Sequence, residues 1–302
     1  MIALLAPGQG SQTEGMLSPW LELPGAAEQV ASWSTASGLD LVRLGTTATT
    51  EEITDTAIAQ PLIVAATLLA HREMTKRGLL AGENFIVAGH SVGEIAAYAI
   101  AGVMAADDAV TLAATRGAEM AKACATEPTG MSALLGGDEA EVLARLEQLD
   151  LVAANRNAAG QIVAAGALTA LEKLAEDPPA RARVRALGVA GAFHTRYMAS
   201  ALDGYAAAAA GIATAEPTAT LLSNRDGKPV TSAAAAMETL VAQLTQPVRW
   251  DLCTATLRER DVKAIVEFPP AGTLAGIAKR ELRGVPTRAV KSPADLDELA
   301  DI

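Results

Sequence analysis

The stretch Phe85-Ile86-Val87-Ala88-Gly89-His90-Ser91-Val92-Gly93 sets a Gly-x-Ser-x-Gly pentapeptide between a short apolar run and the apolar stretch from Ile95 to Ala106. The pattern predicts a strand, a tight turn and a helix. A serine forced through so sharp a turn sits in strained backbone that any larger neighbour would crowd, so small residues on both sides are a physical requirement. Ser91 would then stand at the tip of the turn above the unpaired N–H groups of a helix start.

The first third of the chain, around this segment, alternates strand and helix. Strands are expected at 2–6 and 85–88, and helices near 25–37, 61–77, 92–102 and 107–124, with Pro61 in a first helical turn and Asp107 and Asp108 as N-caps. This is an α/β pattern built on a buried parallel sheet. After Glu127-Pro128-Thr129-Gly130 the texture changes to strands at 131–135, 151–154, 161–165 and 183–187 with helices at 138–146 and 169–176. That order, βαββαβ, is the ferredoxin-like unit. Beyond Gly191 the α/β texture resumes, with strands near 219–223 and 263–268 and helices near 197–210, 232–244, 250–260 and 272–282, so the first sheet should gain its last strands from the final third. The fold expected is α/β: an α/β-hydrolase-like large domain with a parallel sheet over 1–126 and 191–302, plus an inserted ferredoxin-like small domain over 127–190.

At 302 residues and half apolar, the chain can bury a substantial core. Its net charge of −11 argues against nucleic acid and anionic membrane, though a local basic patch could dock an acidic partner. Arg72, Lys76 and Arg77 form one candidate patch, and Lys279, Arg280 and Arg283 another. Only Cys124 and Cys253 are present, too few for a disulfide framework and without metal-ligand spacing, which fits a reducing cytoplasm and no metal site. The N-terminal Met1-Ile2-Ala3-Leu4-Leu5-Ala6 lacks a basic start and breaks at Pro7, so it reads as a buried strand, and no apolar run reaches the roughly 20 residues a bilayer demands.

A serine hydroxyl needs a base within hydrogen-bond reach. Of three histidines, His71 falls inside a helix and reads as structural, while His90 points away from its neighbour's oxygen and at most braces the turn. By elimination the base is His194, in Ala192-Phe193-His194-Thr195. If unperturbed it would titrate near 6.5, and acylation would fall as pH dropped through that value. The turn Pro7-Gly8-Gln9-Gly10-Ser11-Gln12 follows the first strand. Loops leaving the C-terminal ends of parallel strands share one edge, so the N–H of Gln9 can join that of Val92 in an oxyanion hole. Arg116, amid Ala113, Ala114 and Ala118, is either a surface residue or a buried guanidinium that requires an anion, which would suit an acyl group carrying a carboxylate.

Gly8-Gln9-Gly10-Ser11-Gln12, Gly89-His90-Ser91-Val92-Gly93-Glu94, Arg116-Gly117, Phe193-His194-Thr195, Gln243 to Trp250 and Pro269-Pro270-Ala271-Gly272 occur in one order and spacing. In this the chain resembles the malonyl-CoA:acyl carrier protein transacylases of bacterial fatty-acid synthesis, relatives of the acyltransferase domains of polyketide synthases, from Ile2 to about Lys279. The resemblance implies Ser91 as the acylated nucleophile, His194 as the base, Arg116 as the clamp on the malonyl carboxylate, and the N–H groups of Gln9 and Val92 as the oxyanion hole. It further implies that the backbone carbonyl of Gln243 orients the histidine, so that Gln243→Ala should be mild. Phe193 matches a pattern that excludes an α-methyl branch, and Asn155-Arg156-Asn157 matches a stretch facing the active site. The partners implied are malonyl-CoA and an acyl carrier protein with its phosphopantetheine arm, reacting by a ping-pong route without metal or other cofactor. Two other readings compete: a serine esterase or thioesterase with Asp138 or Asp150 as the triad acid, and a non-catalytic carrier-binding module.

Overall fold

The computed structural model describes residues 1–302, the side chain of 301 apart. Its strands are β1 (Ile2–Ala6), β2 (Phe85–Gly89), β3 (Thr129–Gly136), β4 (Val152–Ala158), β5 (Gln161–Ala167), β6 (Ala182–Ala186), β7 (Thr220–Leu221), β8 (Val248–Arg249), β9 (Ala264–Glu267) and β10 (Thr287–Ala289). They form two five-stranded sheets in a mixed α/β architecture.

The first sheet runs β10-β9-β1-β2-β7, every pair parallel, so its last strands do come from the final third of the chain. Alternation along β1 explains why both faces are covered. Ile2, Leu4 and Ala6 belong to a core with the helices Thr56–Lys76, Gly93–Ile100 and Ala106–Cys124, whereas Ala3 and Leu5 belong to one with Trp250–Glu259 and Thr273–Glu281. The register sets Ala6 opposite Gly89. The loops after these two residues, carrying Gln9 and Ser91, therefore leave the sheet side by side.

The second sheet runs β6-β3-β5-β4-β8. Its strands β3 to β6 pair antiparallel, and the two-residue β8, from far along the chain, adds to β4 in parallel with Asn155 opposite Val248. The helices Glu139–Gln148 and Leu168–Glu176 pack on this sheet through Val142, Leu146, Leu171 and Leu174. Irregular register in β4 on either side of Asn155 and Arg156 bends that strand.

Three local expectations fail. The helix expected from Pro61 begins at Thr56, where Asp55 accepts from the N–H of Ala57, and Pro61 lies inside it. Burial of Ala59 and Gln60 offsets the hydrogen bond that proline cannot donate. Asp107 and Asp108 are not caps either: the N-cap is Ala105, and Asp107 accepts from the Trp33 indole at 2.6 Å and the Gln29 amide at 3.0 Å. The alanine-rich helix is shorter than its composition suggests, spanning Leu202–Ala210 after a 3₁₀ turn at Arg196–Ala201. Among the described residues no helix is long and apolar enough to cross a membrane.

Candidate active site

Ser91 occupies the left-handed region at φ +54°, a conformation that costs a residue with a Cβ about 1–3 kcal/mol. The glycines around it explain how the turn closes. A methyl at Gly89 would collide with the carbonyl of Gly93 and the N–H of Glu94, and one at Gly93 would strike the carbonyls of Ala6 and Pro7. Gly8 is similarly constrained, since a Cβ there would lie 2.7 Å from the carbonyl oxygen of His90. The two loops thus interlock backbone to backbone.

Ser91 Oγ lies 2.7 Å from Nε2 of His194, whose Nδ1 is 2.8 Å from the Gln243 carbonyl oxygen. A carbonyl can only accept, so Nδ1 carries the hydrogen and Nε2 is left to accept the serine proton. His194 is itself left-handed at φ +60° and 2% exposed. Burial, then the nearby Arg116 charge, pushes its pKa down to about 3. The ring is thus far from unperturbed, and desolvation favours the neutral imidazole across the physiological range.

Arg116 is 1% exposed. Its position follows from Gly117, where an added Cβ would lie 2.6 Å from the Thr56 carbonyl oxygen, so the two helices cross closely and Arg116 reaches Gln60. Nη1 donates to Gln60 Oε1 at 2.8 Å, and Nη2 to Gln243 Oε1 at 2.8 Å and Ser91 Oγ at 3.3 Å, while Nε is buried without a partner. Among the described residues no carboxylate forms an ion pair with it. A buried guanidinium held only by neutral groups is a site that favours an anion.

A cavity of about 250 Å³ joins these groups, lined among others by Gln9, Ser91, Arg116, Asn155, Phe193 and His194. Among the described residues no protein acceptor is paired with the N–H of Gln9 or of Val92, leaving both donors free. The Gln9 side chain donates to Thr56 Oγ1 at 3.2 Å. Phe193 is buried in the cavity wall, and His90 turns away from Ser91 to Asn157 at 2.9 Å with its ring edge-on to Trp250. Asn155 brings a buried Oδ1 without a partner to the same wall. His71 lies apart, edge-on to Phe268.

The competing acids are elsewhere. Asp138 caps the helix Glu139–Gln148, and Asp150 pairs with Arg196 at 2.5 Å. Of the basic patches, Arg77 is bound by Glu73 and Asp297, Lys76 lies 3.9 Å from Glu73 and Arg72 donates to the Gly25 carbonyl, whereas none of Lys279, Arg280 and Arg283 has an acidic partner among the described residues.

Sequence reasoning missed a polar layer beneath the elbow. Asn224 Oδ1 accepts from the N–H of Ser91 at 2.9 Å, and its amide donates to the Gly89 carbonyl at 2.8 Å. Glu94 accepts from the N–H of Asn224 and from Gln243 Nε2. Burial raises the Glu94 carboxyl to about 8, opposed by the Asn224 N–H, the charge of Arg116, the Gln243 amide and the charge of Arg225. Gln243 therefore contributes its side chain as well as its carbonyl, so its role is not confined to the backbone group that truncation would preserve. The available signal was polarity out of place: Gln60 and Glu94 each interrupt an otherwise apolar helical run.

A family model of acyl transferase domains matches residues 4–294. The malonyl CoA-acyl carrier protein transacylase of Mycobacterium tuberculosis (strain ATCC 25618 / H37Rv) is 86% identical over 302 residues, all of both chains. The crystal structure of MCAT from Mycobacterium tuberculosis superposes with a TM-score of 0.98 at 87% identity, covering 99% of each chain. A solved complex of a type II PKS acyl-carrier protein with its malonyl-transacylase, PlMCAT:AntF, gives a TM-score of 0.93 at 30% identity over 99% of each chain.

Proposed function

The chain belongs to the family of acyl transferase domains, and we propose that it moves a malonyl group from malonyl-CoA to the phosphopantetheine thiol of acyl carrier protein, through an ester on Ser91. The observation that carries the reading is the juxtaposition of the Ser91–His194 pair with a buried guanidinium that lacks a carboxylate partner. The first pair supplies a nucleophile, and the second supplies a reason to prefer a dicarboxylic acyl group.

In the first half-reaction Ser91 Oγ bonds to the thioester carbon as its proton passes to His194 Nε2. The N–H groups of Gln9 and Val92 receive the oxyanion. The tetrahedral species collapses by breaking the carbon–sulfur bond, and His194 returns the proton to the departing CoA sulfur. Arg116 holds the carboxylate of the malonyl-serine ester until the carrier thiol arrives, loses its proton to His194 and attacks the ester carbon. His194 then reprotonates Ser91. The Gln243 carbonyl opposite Nδ1 stabilises the transient imidazolium in the place a triad acid would occupy. Phe193 limits room beside the malonyl α-carbon.

We assign the catalytic machinery to an α/β-hydrolase-like domain of residues 1–126 and 191–302, and the cavity's other wall to a ferredoxin-like domain of residues 127–190. The sheet order of β3 to β6 supports this division. Lys279, Arg280 and Arg283, without an acidic partner among the described residues, support a docking face for an acidic carrier, and the two free cysteines accord with a reducing cytoplasm.

Quantifying products from malonyl-CoA with and without holo acyl carrier protein tests the proposal. Malonyl-carrier and free CoA should form in equal amounts. Free malonate without carrier malonylation would replace transfer by hydrolysis.

A further inference from the structure

Glu94 is buried to 1% exposure under the elbow, and no step of the transfer employs it. One oxygen accepts from the backbone N–H of Asn224 and the other from Gln243 Nε2, each at 2.5 Å. An amide has two unlike ends, and committing Nε2 to Glu94 leaves Oε1 to face Arg116, from which it accepts at 2.8 Å. Nε2 also lies 3.3 Å from the Ser91 carbonyl oxygen and 3.3 Å from Asn224 Oδ1, and Glu94 is its shortest contact, so the orientation of Gln243 is dictated from behind by acceptors alone. We propose that Glu94 is a positioning residue for acyl-group selection: it fixes the Gln243 amide so that its oxygen holds the Arg116 fork aimed at Ser91. This inference rests on the malonyl-transfer reading of the site.

The arrangement also keeps the acidic group off the guanidinium itself. A carboxylate placed directly on Arg116 would occupy the N–H groups that a substrate carboxylate must take. Set one amide away, the acidic group reaches Arg116 only through the Gln243 amide and leaves the fork available. The same acid secures the N–H of Asn224, whose side chain accepts from Ser91, so nucleophile and clamp are registered to a common point.

Glu94→Gln tests this. The N–H of Asn224 is backbone and cannot reverse, so the substituted side chain must offer it the amide oxygen. Its NH₂ then meets Gln243 Nε2, donor against donor. Gln243 can escape by flipping, but it would then turn NH₂ toward the guanidinium and release Arg116. Loss of one hydrogen bond to a charged group predicts that kcat/KM for malonyl-CoA falls about ten- to a hundredfold relative to that for acetyl-CoA. The crystal structure of the substrate-free variant should have lost the contact between Arg116 and Gln243. Equal losses for the two donors, or retention of that contact, would overturn the proposal.

The double variant Glu94→Gln with Gln243→Glu guards against misfolding. It restores donor to acceptor between positions 94 and 243, at the cost of the two longer contacts to the Ser91 carbonyl and Asn224 Oδ1, and seats the carboxylate on Arg116, so acetyl transfer should be measurable while the malonyl preference is lost. A double variant with wild-type preference would refute the need for a neutral amide oxygen facing Arg116. If the wild-type protein itself shows no malonyl preference, the substrate reading fails, and the substrate-free structure still judges the orientation of Gln243.

Discussion

Arg116→Ala removes the one guanidinium in the cavity, and its consequences divide by substrate. The wild-type side chain donates to Gln60, Gln243 and Ser91, so truncation leaves two buried amide oxygens unsatisfied, a cost to folding shared by every substrate. The differential effect lies with the acyl group. A malonyl carboxylate would enter a buried site with no cation to receive it, and stranding one partner of a desolvated charge pair costs about 2 to 5 kcal/mol. At about 1.4 kcal/mol per tenfold, kcat/KM for malonyl-CoA should fall roughly thirtyfold to several-thousandfold. Acetyl-CoA has no carboxylate to strand. Removing the cation that depresses His194 should also make the base stronger, so acetyl transfer should be nearly retained. Competition between the two donors, read by mass of the acylated carrier, gives the ratio directly, with circular dichroism confirming the fold. Equal depression of both donors in a folded protein would refute the anion-clamp reasoning and make Arg116 a structural residue.

Donor acylation should be flat from pH 5 to 7 and decline only toward pH 3, because burial keeps His194 neutral over that span; a midpoint near 6.5 in stopped-flow acylation would show the base to be solvated. Phe193→Ala should raise kcat/KM for methylmalonyl-CoA relative to malonyl-CoA by opening the cavity wall, and an unchanged ratio would move branch selection elsewhere. Gly93→Ala should unfold or disable the protein, since its methyl would strike the carbonyls of Ala6 and Pro7; a soluble variant with wild-type melting temperature would contradict the interlocked-loop description.

The elbow was legible because its chemistry is local: glycine, serine and glycine must lie within one turn, after a strand and before a helix. His194 emerged by scarcity, with only three histidines to choose among. Arg116 was visible as a charge among alanines, but the layer that orients it was not. Glu94 meets Asn224 and Gln243 across 130 or more residues of chain, and no periodicity records such a meeting. The backbone role of Gln243 came from family resemblance, and its side-chain role became apparent only when helix packing set it between Arg116 and Glu94. The strand β8 escaped notice for a simpler reason: two residues are too few to show alternation. Likewise Pro61 drew the helix start forward because its own preference was plain, whereas the burial of the preceding turn was not.

The central claim is that an acyl group resides covalently on Ser91 between two half-reactions. Brief exposure of the wild-type protein to malonyl-CoA, acid quench and peptide mass spectrometry should locate one malonyl adduct on the peptide containing Ser91. Holo acyl carrier protein should discharge it, and Ser91→Ala should carry none. A malonyl adduct on another residue, formed at the wild-type rate in Ser91→Ala, would contradict the account.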